Sequence, residues 1–399
     1  MEACVSTEPI DGTPISAIVG RADEIYRDYS LPTVRAWKAR TGGLAVGFMP
    51  IYIPCEILDA QGVLPVALMG ARDDLEIIKG DAYYQSYICH IPRSTIELGL
   101  SGRLDCLDGV IFPAICDVIR NLSGMWQMLF PEKLVRYLDV PQNFAPSIGG
   151  QFYRHELEEL SRALTERGAR PYDADALRAS IALYNTMRGE VRALYALRQR
   201  EPWKVPTSEL YLLLRASVVM PVQEATAMLR EYRELVSADA TRLPLDQARV
   251  MLTGSFCEQP PIGLIRTLER SGCYIVDDDF VQVHRWIQSD IPTDGDPMEQ
   301  LVHAFLSDAM ASPTRYIDQG EKGADLVLRI QKSRAEGVLF CAPSFCDPAL
   351  LDQPMAVSAV ERHGLPWTAF KYSENTGQFQ VIREQAGTFA DSIKLWSVA

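Results

Sequence analysis

At 399 residues, with 47% hydrophobic and 23% charged side chains, the chain has the make-up of a soluble globular protein and too much length for one ordinary core. Its net charge of −13, from 39 basic and 52 acidic residues, argues against a general nucleic-acid binder and against docking on an anionic membrane surface. The first residues, Met1-Glu-Ala-Cys-Val-Ser, show no basic or apolar leader pattern, and no apolar run approaches the ~18 residues that span a bilayer. A cytoplasmic location is therefore expected, with the nine cysteines as free thiols, metal ligands or redox groups.

In chain order, residues 14–40 read as helix broken near Pro32, and Gly42-Gly43 lead into a strand over 44–48. Ile53-Pro54 opens a helix that Gly62 can cap, and a second strand covers 64–68. A long helix over 83–101 carries Cys89, then come strand 108–112, helix 115–130 and strand 133–138. Residues 151–238 keep helical periodicity, as in Leu157, Leu160 and Leu164, with almost no strand signal. Strands at 250–254, 273–277, 337–341 and 367–371 then alternate with helices at 262–270, 297–311, 323–335, 348–363 and 378–395. The pattern predicts an α/β fold with two Rossmann-like or flavodoxin-like parallel-sheet domains and a helical segment between them. The expected boundaries are an N-terminal helical segment at 1–42, a first α/β domain at 43–150, a helical linking domain at 151–245 and a second α/β domain at 246–399.

The two α/β units share a phrase. Asp108-Gly-Val-Ile-Phe-Pro-Ala-Ile-Cys116-Asp117 and Glu336-Gly-Val-Leu-Phe-Cys-Ala-Pro-Ser-Phe-Cys346-Asp347 each run acid, Gly, three apolar residues, a Pro-containing loop and Cys-Asp. Ligands of open parallel sheets bind beyond the carboxyl ends of strands, where both Cys-Asp pairs are expected. Cys116, Cys346 and Cys89 stand near element ends beside Pro and polar residues. Iron–sulfur sites draw on thiolates distant in sequence, so spacing leaves cluster ligation open beside plain packing. Cys106, Cys273 and Cys4 lie in or near apolar or terminal stretches and read as small hydrophobes, as does Cys341 at the end of a strand. Cys55 and Cys257 stay ambiguous by the same test.

Other chemistry is poorly supported. There is no CxxC pair, no GxGxxG after a strand, no GxxxxGK[ST], no GxSxG and no HExxH. His155, His303 and His363 fall on charged helical segments and are expected at the surface. His90 beside Cys89 and Glu56 beside Cys55 are acid–base candidates, with a structural hydrogen bond as the alternative. Asp277-Asp-Asp279 is expected to be a solvated strand-end loop or helix cap rather than a metal site.

Longer phrases carry a resemblance. Pro50-Ile-Tyr-Ile-Pro-Cys-Glu-Ile-Leu-Asp-Ala-Gln-Gly-Val-Leu-Pro65, Phe112-Pro-Ala-Ile-Cys-Asp117, Phe345-Cys-Asp-Pro348, Gly364-Leu-Pro-Trp367 and the phrase from Tyr372 to Arg383 resemble the 2-hydroxyacyl-CoA dehydratase / benzoyl-CoA reductase family. Leu183-Tyr-Asn-Thr-Met-Arg188 extends the likeness through the helical middle. Gln85-Ser-Tyr-Ile-Cys-His-Ile-Pro-Arg-Ser94 and Gly254-Ser-Phe-Cys-Glu-Gln-Pro-Pro261 look most like the benzoyl-CoA reductase branch.

The resemblance implies a subunit that pairs with a homologous partner, each holding a [4Fe-4S] cluster through three cysteines. The matching positions are Cys89, Cys116 and Cys346, with Cys55 as a further candidate ligand. It implies one-electron reduction of benzoyl-CoA or a similar aromatic acyl-CoA, with ferredoxin as electron donor and ATP hydrolysed by separate activator subunits. His90 and Glu56 become candidate proton donors, and Arg93 a candidate contact for CoA phosphates. Two alternatives remain within the resemblance: a dehydratase subunit acting through a ketyl radical, and a non-catalytic electron-transfer subunit.

Overall fold

The computed structural model describes residues 12–72, 75–85, 87–315, 321–373 and 379–396. Cys4, expected as packing, lies outside them, as do Ser86 and residues 374–378 of the phrase that begins at Tyr372.

The elements follow as α1 (Pro14–Arg27), α2 (Pro32–Thr41), β1 (Ala45–Phe48), α3 (Cys55–Ala60), β2 (Leu64–Ala67), α4 (His90–Leu100), β3 (Gly109–Pro113), α5 (Asp117–Leu129) and β4 (Leu134–Leu138). Four helices come next: α6 (Gln151–Glu166), α7 (Ala174–Arg200), α8 (Thr207–Ser217) and α9 (Val222–Ala238). The remainder is β5 (Ala248–Thr253), α10 (Ile262–Arg270), β6 (Cys273–Asp278), α11 (Pro297–Asp308), α12 (Ala324–Ser333), β7 (Gly337–Pro343), α13 (Asp347–Arg362), β8 (Trp367–Tyr372) and α14 (Phe379–Trp396).

Local chemistry explains many boundaries. Thr13 accepts from the Ser16 amide and Pro14 fills the first position of α1, while Asp173 accepts from the Ala176 amide at 2.7 Å to start α7. Gly42 ends α2 in the left-handed conformation at φ 67°, as a helix C-terminus commonly requires.

Two parallel sheets form, in the orders β2-β1-β3-β4 and β6-β5-β7-β8. The expected α/β class with two parallel sheets is therefore observed. Helices cover both faces, so central strands read as continuous apolar runs, and every residue of β3 and β7 is buried. In each sheet the chain moves to one side of its first strand and then crosses to the other. The resulting switch points lie between β1 and β3, and between β5 and β7, where crevices open beyond the carboxyl ends. Both sheets share one continuous hydrophobic core with the helices of 151–238.

The expected helix over 83–101 begins only at His90. Cys89 has a non-helical ψ of 157° and stands as the N-cap, with Pro92 tolerated in the first turn. Likewise α5 starts at Asp117 rather than 115, because Cys116 is extended at φ −159° and ψ 171°.

The expectation of a solvated Asp277–Asp279 loop is overturned. All three side chains are buried, with exposures of 4, 1 and 8%. Arg198 from α7 meets Asp278 at 2.6 Å, and Arg329 from α12 meets Asp279 at 2.6 Å and Asp277 at 3.2 Å. Arg285 pairs with Asp277 and Asp278 at 3.2 Å. A buried carboxylate survives only when paired, and these arginines arrive from positions invisible to local sequence.

Candidate functional site

Three cysteines occupy the same local position. Cys89, Cys116 and Cys346 are the N-caps of α4, α5 and α13, so each thiol stands where a helix presents unsatisfied amides and the positive end of its dipole. Such placement favours a thiolate: the backbone amides of Val118 and Ile119 act to lower the Cys116 thiol and that of Ala349 the Cys346 thiol, although neither cysteine makes a side-chain cap hydrogen bond. Cys116 follows β3 and Cys346 follows β7, which are equivalent strands at the two switch points.

A fourth thiol joins them. Cys257 lies in the loop after β5, the strand beside β7. The charges of Cys346, Cys116 and Cys89 all act on it, as those of Cys346 and Cys116 act on Cys89. Burial is the larger influence on each. It lifts Cys89, Cys116 and Cys257 above the usual thiol range and brings Cys346 up to about 12. Cys257 and Cys346 are 8 and 7% exposed, whereas Cys89 and Cys116 are half-buried.

Glu258 ties the two halves of the chain. Its Oε2 accepts the His90 backbone N–H at 2.9 Å, and its carbonyl accepts the Tyr372 hydroxyl at 2.6 Å. Tyr84, half-buried, feels the charges of Cys89 and Cys116, and burial pushes its phenol up so that it stays protonated. Among the described residues no group of three or more His, Cys, Asp or Glu side chains is arranged to hold a metal ion.

The structure brings Cys89, Cys116 and Cys346 together with His90, but it surrounds Cys55 differently. Cys55 is buried, and the charges acting on it come from Glu56, Asp59 and Arg188. Glu56 forms an ion pair with Arg188 at 2.7 Å, with both side chains 6% exposed. The His90 ring is buried, and its Nε2–H donates to the Ala71 carbonyl at 3.0 Å. Arg93 is salt-bridged to Asp81 at 2.8 Å. Cys341 and Cys273 are fully buried packing residues, Cys106 is partly buried against the core, and His155, His303 and His363 are exposed. Sequence reasoning missed Glu258 and Tyr84 and left Cys257 unassigned. The one available signal was the pair Cys257-Glu258 directly after an apolar strand.

The fold is that of an α/β enzyme subunit, as comparison with known proteins shows. The family described as 2-hydroxyglutaryl-CoA dehydratase, D-component, matches residues 50–393, and the chain belongs to that family. It is 52% identical over 383 residues to a subunit of benzoyl-CoA reductase from Thauera aromatica, covering 95% of this chain and 99% of that one. It is 27% identical over 384 residues to the beta subunit of (R)-2-hydroxyglutaryl-CoA dehydratase from Acidaminococcus fermentans, covering 95 and 100%. The beta subunit of lactoyl-CoA dehydratase from Anaerotignum propionicum is 27% identical over 358 residues, covering 90 and 94%. Among the described residues no helix is long and apolar enough to cross a membrane.

Proposed function

We propose that this chain is a subunit of a cytoplasmic benzoyl-CoA reductase and holds a [4Fe-4S] cluster through Cys89, Cys116 and Cys346. The observation that carries the reading is the placing of these thiols at three helix N-termini, Cys89 and Cys116 in the first α/β unit and Cys346 in the second. The donor set fits the group. Thiols at helix N-termini suit a thiolate-bound cluster, whose negative charge the helix dipoles would offset. To hold the group, Cys89, Cys116 and Cys346 would have to give up the protons that burial otherwise makes them retain.

When bound, the cluster supplies single electrons at low potential to the ring of an aromatic acyl-CoA, whose thioester carbonyl spreads the added charge. This chain's own residues set the conditions. The Val118, Ile119 and Ala349 amides direct partial positive charge at the sulfurs, which raises the ease of reduction, and the largely buried site limits water. Glu258 fixes the start of α4 and so aims Cys89. Tyr84 keeps its phenolic proton beside Cys89 and Cys116 and is the candidate proton donor of this reading, while the His90 ring N–H is engaged by the Ala71 carbonyl and would have to leave it to act. Glu56, committed to Arg188, holds the first unit against α7 in this reading. The homologous cluster-binding subunit, ATP-hydrolysing activator subunits and ferredoxin complete the reaction.

The 52% likeness to a benzoyl-CoA reductase subunit, against 27% to dehydratase subunits, favours ring reduction over dehydration through a ketyl radical. Anaerobic assay of the purified complex with benzoyl-CoA, reduced ferredoxin and ATP tests this. Formation of a cyclic dienoyl-CoA supports the proposal. Turnover of 2-hydroxyacyl-CoA esters alone would replace it.

A further inference from the structure

The buried arginines Arg188 and Arg198 are each paired with a carboxylate, Glu56 and Asp278. Half-buried Arg215 of α8 is not. Its guanidinium carbon lies 5.0 Å from the centre of the Tyr26 ring and 5.6 Å from that of Tyr211, and its Nη1 donates to the Tyr211 hydroxyl at 2.7 Å. Among the described residues no carboxylate forms an ion pair with it. Ring contacts satisfy the faces of a guanidinium but not its N–H edges, and Tyr211 uses only one of its donors.

The surroundings are built. The Tyr211 hydroxyl donates in turn to the Pro260 carbonyl at 3.0 Å, and the Tyr26 and Tyr211 rings meet edge to face at 6.1 Å. Arg72, after β2, lies over the Tyr26 ring at 5.0 Å and the Tyr29 ring at 4.4 Å, and Arg103 lies 5.5 Å from the latter. Positive charge is thus concentrated here, in a chain of net charge −13. Two cavities share Tyr26, Met69 and Arg215. The larger, of about 70 Å³, lies between α1, the end of β2 and α8, with Leu68, Leu98 and Val218 as an apolar wall. That space holds roughly five water-sized atoms. Asp28 lines the larger cavity and Glu258 the smaller, so a multiply charged anion is repelled where a single charge with an apolar body is matched.

We propose that Arg215 anchors a binding site for a small monocarboxylate, whose carboxylate pairs with the guanidinium and whose apolar body lies along Leu68, Leu98 and Val218. The site is separate from the cluster reading and stands whether or not that reading holds. Binding breaks no bond and moves no electron. It supplies the counter-charge that Arg215 lacks and clamps α1 onto α8.

The test titrates the complete complex by calorimetry with propionate and with phosphate, an ion of similar size and greater charge. Wild type, Arg215→Gln and Arg215→Lys are compared. Wild type is expected to take up a single propionate per copy of this chain and to bind phosphate more weakly. Arg215→Gln is expected to weaken propionate binding by about tenfold or more, as loss of a charged hydrogen bond implies. Arg215→Lys, which keeps the charge, should weaken it less. No saturable propionate heat in wild type, phosphate bound as tightly as propionate, or unchanged binding in Arg215→Gln overturns the proposal.

A second measurement needs no variant. Amide hydrogen exchange of the wild-type complex, with and without propionate, is expected to show added protection in α1 and α8. Unchanged exchange in both helices, or added protection confined to other elements, contradicts the site.

Discussion

The carboxylate of Glu258 accepts a hydrogen bond at 2.9 Å from the backbone N–H of His90, 168 residues earlier in the chain. This single contact fastens the loop after β5 to the helix start that carries Cys89. Glu258 is only 8% exposed, so deleting its side chain strands a donor in a dry site. Glu258→Ala is expected to cost about 1–3 kcal/mol in chemical unfolding and to lower iron retention. Glu258→Gln, which keeps an acceptor oxygen, should lose less on both counts. Equal behaviour of the two variants would show that the bond does not position Cys89.

The pair Arg198–Asp278 spans from α7 to the end of β6 at 2.6 Å, with both side chains 1% exposed. Tyr195 also donates to Asp278 at 2.8 Å. Removing one charge leaves the other buried and unpaired. Arg198→Met is therefore expected to destabilise the protein by about 3–5 kcal/mol in urea unfolding. A loss below about 1 kcal/mol would mean that water reaches the network and screens it.

Acid sensitivity follows from two buried groups. Burial, with Arg188 nearby, brings His284 down to about 3, so the folded protein keeps it neutral while the unfolded chain protonates it near 6.5. Its contribution is complete above pH 6.5 and is lost as pH falls from there toward 3. Asp277 is brought down to about 2 despite its burial, because Arg329 and Arg285 favour the charged form. Its stabilisation is present above about pH 4 and disappears between about pH 4 and 2. Unfolding free energy measured between about pH 6 and 4.5 should therefore fall with a slope that His284→Gln reduces by up to about 1.4 kcal/mol per pH unit. Asp277→Asn should alter the profile only below about pH 4.

Gly254→Ala tests the loop geometry directly. Its left-handed φ of 109° disfavours any side chain, and the added methyl would press on the Cys341 carbonyl. The expected cost is about 1–3 kcal/mol, read as a lower unfolding midpoint, with reduced protection of Cys257 from alkylation. An unchanged midpoint would show that the loop can shift without loss.

The matched phrases ending in Cys116-Asp117 and Cys346-Asp347 made two corners of the site readable, because both terminate buried strands at equivalent places in their sheets. The all-helical stretch from α6 to α9 was readable for a similar reason, since periodicity is a local property. Cys257 was not. Its neighbours are set by β5 lying beside β7 and by Glu258 reaching α4, which are tertiary facts. The start of α4 was placed too early because Cys89 and the residues just before it carry no Gly or Pro to mark the break. Asp277–Asp279 misled for the opposite reason: a run of three acids looks solvated until Arg198, Arg285 and Arg329 are seen around it.

The most direct measurement is iron and acid-labile sulfide content of the anaerobic complex after single Cys→Ser replacement. Replacing Cys89, Cys116 or Cys346 is predicted to lose about four irons per complex, while Cys341→Ser, a packing position five residues from a proposed ligand, keeps its iron. Undiminished iron and sulfide in all three ligand variants would contradict the cluster assignment.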